Sequence, residues 1–502
     1  LQQHARVDVR LNLSQGELEA TLPNYDALIV RSATKVTARL LEIGSKLTVV
    51  GRAGVGVDNI DTDAATHRGV TVVNAPTTNI VAAAEHTIAL MMALSRRIPQ
   101  ADLAVRSRRW QREKFTGTEL VGKRLGLVGL GRVGAEVARR ATGLGMSVAA
   151  FDPYVTPERA QHMQVELLAF GYLLETCDFI SLHIPATADT KSLMGAAEFA
   201  QMKAGARLIN CARGTLIDEG ALLDALDSGH LAGAGLDVFA SEPLNNQRLI
   251  DHERVVLTPH IGGSTEESAA RVSVEIAEEV LAVLAGRPAR YAVNAPLVSS
   301  SLAPVLHPFL DLAQRLGRFY IQSIGGPLGA IEIEYAGSIA AEDTSVLTAA
   351  VIKGLLEGIH EDRVNLVNAQ LVAQIHGLKI SERKTPELAR YDNIIAVTGT
   401  RRVAGSVLQG EPHIAQLDDY WVDFIPIGHL LLTRHRDRPG MIGKVGTLLA
   451  SESINIASMQ VARNTPRGEA IMICTVDDPV PASAVERLRS ELDIEWVKAF
   501  QL

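Results

Sequence analysis

Cysteine is nearly absent. Three in 502 residues cannot build a disulfide framework, and none stands at zinc-ligand spacing to another. The expectation is a protein of a reducing compartment, the cytoplasm, without a metal site. Aromatic residues make up only 4%, too few for the stacking platforms that hold single-stranded nucleic acid. There is no basic block and the formal net charge is −8, so neither nucleic acid nor an anionic membrane is an expected partner. No apolar run reaches the roughly 18 residues of a membrane span. Leu1 to Arg10 contains no signal-peptide hydrophobic region. An initiator methionine is also missing, and the chain is expected to start inside a longer protein.

What the chain does have is core. Hydrophobic residues are 47% of 502, which argues against general disorder, and the length suggests about three domains. Short apolar runs at Val7-Asp8-Val9, Ala27–Val30, Thr48–Val50 and Val70–Val73 alternate with helical patterns. One helix is announced by the capping box Ser14-Gln15-Gly16-Glu17. Such alternation predicts a parallel sheet covered on both faces. A long apolar helix over Ile80 to Ser95 follows, without a broad polar face, and is read as buried between domains.

A second series predicts strands over Leu125–Leu130, Ser147–Phe151, Phe179–Ile184, Ala206–Cys211, Gly233–Val238 and Arg254–Thr258. These make a complete doubly wound sheet. A helix over Glu219 to Ser228 should close on Gly229 as a left-handed cap, and a capping box at Ser264–Glu267 should open a helix ending near Gly286. Composition shifts at Asn294-Ala295-Pro296, and residues 297 to 425 mix helix and strand without a telling motif. From His429 the predicted order is βαββαβ, the ferredoxin-like arrangement: Leu430–Thr433, Met441–Ser451, Asn455–Ala462, Ala470–Val476, Ala482–Leu492 and Ile494–Ala499.

The chemistry begins at Gly129-Leu130-Gly131-Arg132-Val133-Gly134, which fits GxGxxG directly after an apolar strand and at the start of a helix. Gly129 permits the tight turn, Gly131 lets backbone approach a pyrophosphate, and Gly134 lets helix and strand pack closely. Asp152 ends the next strand, where a carboxylate accepts ribose hydroxyls and repels a 2′-phosphate. The expected cofactor is NAD. Arg213, Glu242 and His260 each follow an apolar strand, at the end where open α/β sheets form their ligand crevice. An imidazole can take a hydroxyl proton, a carboxylate can fix and steady it, and a guanidinium can hold a substrate carboxylate. That set suits alcohol–ketone interconversion. Asp237 reads as a buried, hydrogen-bonded strand residue facing the cofactor end, and Cys211 as a small core residue rather than a nucleophile.

These segments resemble the D-isomer-specific 2-hydroxyacid dehydrogenases: Gly129–Gly134, Asn210–Gly214, Asp237–Phe239 with Glu242-Pro243, and Thr258–Gly263. Arg31–Val36 and Gly51–Asn59 resemble the substrate-domain signatures of the family's long members, which oxidise 3-phospho-D-glycerate at the entry to L-serine synthesis. Asp437–Gly440 and Ile454–Ile456 resemble an ACT regulatory domain. The resemblance implies a Rossmann-type NAD domain at 96–272 and a flavodoxin-like substrate domain from 1–95 and 273–295. It further implies an α+β intervening domain at 297–425 and a ferredoxin-like ACT domain at 428–502. It implies His260 as acid/base, Glu242 as its partner and Arg213 on the substrate, with Arg31, Ser32, Arg52, Gly54 and Asn79 as further substrate contacts. Arg132, Val133, Cys211, Ala212, Arg213, Asp237, His260, Gly262 and Gly263 would join the glycines and Asp152 around NAD.

The segment around Trp110 and Arg112 would reach a neighbouring subunit, so a homo-oligomer, dimer or tetramer, is implied. L-serine is the implied effector, held by Asp437 and Asn455, with His435 where the family often has tyrosine. Lys353 or Arg401 is a candidate for an anion site in the intervening domain, but solvated surface charge is the preferred reading of either. Thr215, Val55 and Leu244 depart from the family pattern without removing a charged catalytic group. The family also carries a strand before the segment equivalent to Val7, so the outer sheet is expected to be one strand short. Two other readings stay open: a dehydrogenase of another D-2-hydroxy acid (lactate, glycerate or 2-hydroxyglutarate), and a dinucleotide-sensing binding protein.

Overall fold

The computed structural model describes residues 1–296, 303–324, 328–357, 364–386, 390–492, 494 and 496–502. Its contacts divide the chain into two units, one of Ala75–Glu275 and one of Leu1–Asn74 with Ile276–Leu502.

The Ala75–Glu275 unit is built on a seven-stranded sheet, parallel throughout. From edge to edge its strands are Val255–Leu257, Gly233–Leu236, Arg207–Asn210, Phe179–Leu182, Arg124–Val128, Ser147–Phe151 and Glu166–Leu167. All six strands read from the sequence form, mostly one or two residues shorter, because the last residues of each run turn into loops. Glu166–Leu167 is an added edge strand, too short to stand out in the sequence. Helices cover both faces, which is why the strands are apolar on both sides. Leu125, Leu127 and Ile209 join the core holding Leu90, Met91 and Val137. Val128, Ile180 and Leu208 join the opposite core with Leu173, Phe199 and Leu222. The long apolar helix Ile80–Arg96 packs on this sheet. Helix Glu219–Asp227 ends before Gly229, whose φ is +77°.

In the other unit, strands Ala27–Val30, Val49–Arg52 and Thr71–Val73 form a parallel sheet with Leu18, Leu40 and Leu41 in its core. The Ser14–Glu17 capping box is present: Ser14 N donates to Glu17 Oε2 at 2.8 Å and Glu17 N donates back to Ser14 Oγ at 3.4 Å. Val7–Val9 forms no strand, and Val9 is 72% exposed. Asp8 and Arg10 interrupt the apolar run that a strand covered on both faces requires. Helix Glu266–Leu284 is capped by Thr265, which accepts from Ser268 N at 3.1 Å. The cap lies one residue beyond the Ser264 expected from the sequence.

Beyond it, helices Ala303–Ile324 and Ser345–Leu356 pack against a six-stranded, mainly antiparallel sheet that runs from Ala330 to Phe424. Of the expected 297–425 stretch, residues 297–302, 325–327, 358–363 and 387–389 lie outside the described residues. The last four strands are His429–Arg436, Ile456–Arg463, Glu469–Val476 and Trp496–Gln501. Ile456–Arg463 and Trp496–Gln501 lie at the edges, with Glu469–Val476 and His429–Arg436 between them, the ferredoxin-like order. Leu431, Met472 and Cys474 face its two helices. Leu430, Leu432, Ile471 and Ile473 face the other way, into one core with Leu316 and Phe319. Both faces of this sheet are therefore covered.

Candidate active site

Strand Arg124–Val128 lies between Ser147–Phe151 and Phe179–Leu182. Chain order reverses there, and loops leaving the carboxyl ends diverge into a crevice. The Gly129–Gly134 turn sits at this point. Gly129 has φ +99°, and a Cβ on it would meet His183 O at 2.6 Å. A Cβ on Gly134 would collide with Gly129 O. At Gly131 a Cβ meets nothing within 4 Å, so the space before the first amides of helix Arg132–Gly143 is open. Arg132 and Val133 are the first two residues of that helix. Asp152 Oδ2 accepts from Leu130 N at 2.8 Å and Oδ1 from Tyr154 N at 2.9 Å, which ties the carboxylate to the turn. An open cradle, helix amides and an adjacent carboxylate fit a dinucleotide.

Arg213, Glu242 and His260 follow three adjacent strands, with Asn210 paired to Leu236 and Leu236 to Leu257. Buried Asn210 shapes the first loop: Ala212 N donates to its Oδ1 at 2.9 Å, and its Nδ2 donates to Arg213 O at 2.9 Å. Arg213 Nη1 donates to Ala212 O at 2.7 Å. Gly214 leaves no room for a side chain, since a Cβ would fall on the Phe239 backbone, so this loop lies against the one bearing Glu242. Glu242 Oε1 accepts from Phe239 N at 3.2 Å, and Oε2 lies 2.7 Å from His260 Nδ1. Since an ionised carboxylate only accepts, Nδ1 carries the hydrogen and Nε2 is the basic nitrogen.

His260 sits at φ +54°, which few side chains adopt. Its segment is clamped by Asp237, 1% exposed, which accepts from Thr258 Oγ1 at 2.6 Å, Ile261 N at 2.9 Å and Gly262 N at 2.7 Å. Burial works to raise the Asp237 carboxyl, but hydrogen bonds from His86, Thr258 and these amides outweigh it and hold it below its usual value. His86 is the participant that the sequence did not reveal; a lone histidine on an apolar helix carries no motif. Burial pushes the Cys211 thiol up to about 12, which favours its protonated form. Gly263 lies beside Asn79, which precedes helix Ile80–Arg96.

The remaining expected substrate residues belong to the other unit. Arg31 and Ser32 follow strand Ala27–Val30, and Arg52 ends the neighbouring strand, in register with Val30. Asn59 Nδ2 donates to Arg31 O at 3.0 Å and Thr34 O at 2.7 Å, shaping that loop. Gly54 follows at φ +150°. In the ferredoxin-like module Asp437 pairs with Arg463 and accepts from Arg467 N at 3.1 Å. Asn455 Nδ2 donates to Asp477 Oδ2 at 2.7 Å. Burial lowers the His435 imidazole. Lys353 donates to Gln314, and Arg401 pairs with Asp418, so both have partners within the chain. Trp110 is 79% exposed. Among the described residues no group of three or more His, Cys, Asp or Glu could hold a metal ion, and no helix is long and apolar enough to cross a membrane.

Three family models match the chain. Residues 88–262 match the D-isomer specific 2-hydroxyacid dehydrogenase NAD binding domain, 305–418 the D-3-phosphoglycerate dehydrogenase intervening domain, and 429–493 the ACT domain. The chain is 45% identical over 488 residues to D-3-phosphoglycerate dehydrogenase of Synechocystis sp., covering 96% of this chain and 88% of that one. It is 44% identical over 500 residues to the enzyme of the same name from Bacillus subtilis, covering 98% and 95%. Among solved structures, the apo form of D-lactate dehydrogenase from Escherichia coli is similar, with a TM-score of 0.52 at 30% identity, covering 56% of this chain and 89% of that one.

Proposed function

The chain belongs to the D-3-phosphoglycerate dehydrogenase family, and on that premise we propose which of its residues carry out the reaction. The activity is the NAD-dependent oxidation of 3-phospho-D-glycerate to 3-phosphohydroxypyruvate, the first step of L-serine biosynthesis. NAD bound at this crevice would supply the hydride acceptor for the carbinol carbon. His260 Nε2 takes the hydroxyl proton, and Glu242 steadies the imidazolium through Nδ1. Arg213 holds the substrate carboxylate and polarises the forming carbonyl. The Gly129–Gly134 turn and the first helix amides would hold the pyrophosphate, and Asp152 would hold the ribose hydroxyls. Cys211, Ala212, Asp237, Gly262 and Gly263 line the nicotinamide end. The 2.7 Å His260–Glu242 pair is the observation that carries this reading.

Arg31, Ser32, Arg52, Gly54 and Asn79 are proposed as substrate contacts, the two arginines for the phosphate. Arg52→Ala and Arg31→Ala should each lower kcat/KM for 3-phospho-D-glycerate on the order of tenfold to 100-fold, the worth of a charge-assisted contact. Unphosphorylated D-glycerate should be affected far less. An equal loss on both substrates would remove the phosphate assignment.

Asp152→Asn keeps an oxygen for the Leu130 amide and removes the charge. It should weaken NAD and relax the rejection of NADP, raising the NADP-to-NAD ratio of kcat/KM at least about tenfold. An unchanged ratio would mean that Asp152 does not select the cofactor.

The ACT match supports an effector, proposed to be L-serine. Binding through Asp437 and Asn455 would require them to exchange Arg463 and Asp477 for the ligand. A cytoplasmic homo-oligomer completes the reading, supported by the exposed Trp110.

A further inference from the structure

Helix Ile80–Arg96 brings to the site a side chain that the reaction scheme does not use. His86 Nε2 lies 2.9 Å from Thr258 Oγ1 and 3.2 Å from Asp237 Oδ1. Thr258 spends its only hydroxyl hydrogen on Asp237 Oδ1, at 2.6 Å. Toward His86 its oxygen can therefore only accept, as can the carboxylate. Both neighbours of Nε2 are acceptors, so Nε2 carries the hydrogen and donates.

Asp237 thereby gathers donors from two sources. Thr258 Oγ1, Ile261 N and Gly262 N come from the segment that presents His260. The other donor is His86, on a helix that precedes this segment by 172 residues measured from His86 to Thr258. His260 sits inside the clamped stretch at φ +54°, a conformation that persists only when its surroundings impose it. Oδ1 takes Thr258, Ile261 and His86, whereas Oδ2 takes Gly262 N.

We propose that His86 is a positioning residue for hydride transfer, acting through Thr258 and Asp237 to hold the segment that carries His260. Its Nε2 is committed to Thr258 and Asp237 rather than to the proton transfer. This inference rests on the reading of His260 as the proton acceptor. A glutamine at this position reaches far enough to keep an N–H donor, whereas leucine fills the space without one and asparagine is too short.

The test measures kcat, KM for 3-phospho-D-glycerate and thermal melting for His86→Leu, His86→Asn and His86→Gln, each with and without His260→Ala. His86→Leu and His86→Asn should lower kcat about tenfold or more with little change in substrate KM. His86→Gln should restore kcat to within about threefold. In the His260→Ala background the leucine and asparagine substitutions should add almost nothing, because both changes act on one group. If His86→Leu fails to fold, His86→Asn and His86→Gln still decide the matter. The proposal is overturned if kcat stays within about twofold in the asparagine variant, if glutamine is as impaired as asparagine, or if the effects simply add to that of His260→Ala. Failure of the His260 reading looks different: His260→Ala would then retain full turnover whatever stands at position 86.

Discussion

His260→Ala is expected to lower turnover on the order of 100-fold or more, while NADH still binds. The substrate hydroxyl must lose its proton as hydride leaves, and His260 is the proposed acceptor. His260 is set for it by the 2.7 Å contact of Nδ1 with Glu242, which leaves Nε2 to accept. The proposed pyrophosphate cradle at Gly129–Gly134 belongs to a different turn, so cofactor affinity, read by quenching of protein fluorescence or by NADH emission, should change little. Glu242→Gln should act in the same direction and less strongly. It keeps an oxygen within reach of Nδ1 but removes the charge that steadies the imidazolium. Full turnover in His260→Ala at every pH would remove the assignment.

Two glycines of one turn should fail in different ways when changed to alanine. At Gly134 the new methyl would collide with Gly129 O, a backbone atom that cannot step aside. Overpacking of this kind costs about 1–3 kcal/mol and often more against backbone. Gly134→Ala should therefore lower the denaturation midpoint and NAD affinity together. At Gly131 the methyl meets nothing within 4 Å, so the fold should be untouched. The same methyl would occupy the space in which a pyrophosphate approaches, and Gly131→Ala should weaken NAD about tenfold or more at unchanged stability. Denaturant unfolding beside NADH titration separates the two. A Gly131→Ala variant that binds NADH normally would move the phosphates away from this turn.

The parts of the proposed site legible in the sequence are those written locally. Gly129–Gly134 and Asp152 belong to consecutive strand–turn–helix units, so their spacing alone carries the pattern. Arg213, Glu242 and His260 could be read because each directly follows an apolar run. The ferredoxin-like order was legible for the same reason, its helices Met441–Ser451 and Ala482–Leu492 having the residues expected. What could not be read depends on distant partners. His86 gains its meaning only from Thr258 and Asp237, and the φ of +54° at His260 follows from that clamp rather than from its neighbours. Strand Ala330–Gly337 pairs with Lys379–Thr385 in parallel and with Asn393–Thr398 in antiparallel, a choice made by packing and not by periodicity. The second face of the ferredoxin-like sheet is covered by Leu316 and Phe319, residues far back in the chain. Val7–Val9 shows the converse: a short alternating run looks like a strand but brings too little apolar surface to join the sheet.

The most direct test of the account is the initial rate of NADH formation by the unmodified chain with 3-phospho-D-glycerate, D-glycerate, D-lactate and D-2-hydroxyglutarate. The account predicts a kcat/KM for the phosphorylated substrate at least about 100-fold above that for D-glycerate, the worth of two charge-assisted phosphate contacts. Equal or better use of any unphosphorylated hydroxy acid would contradict it.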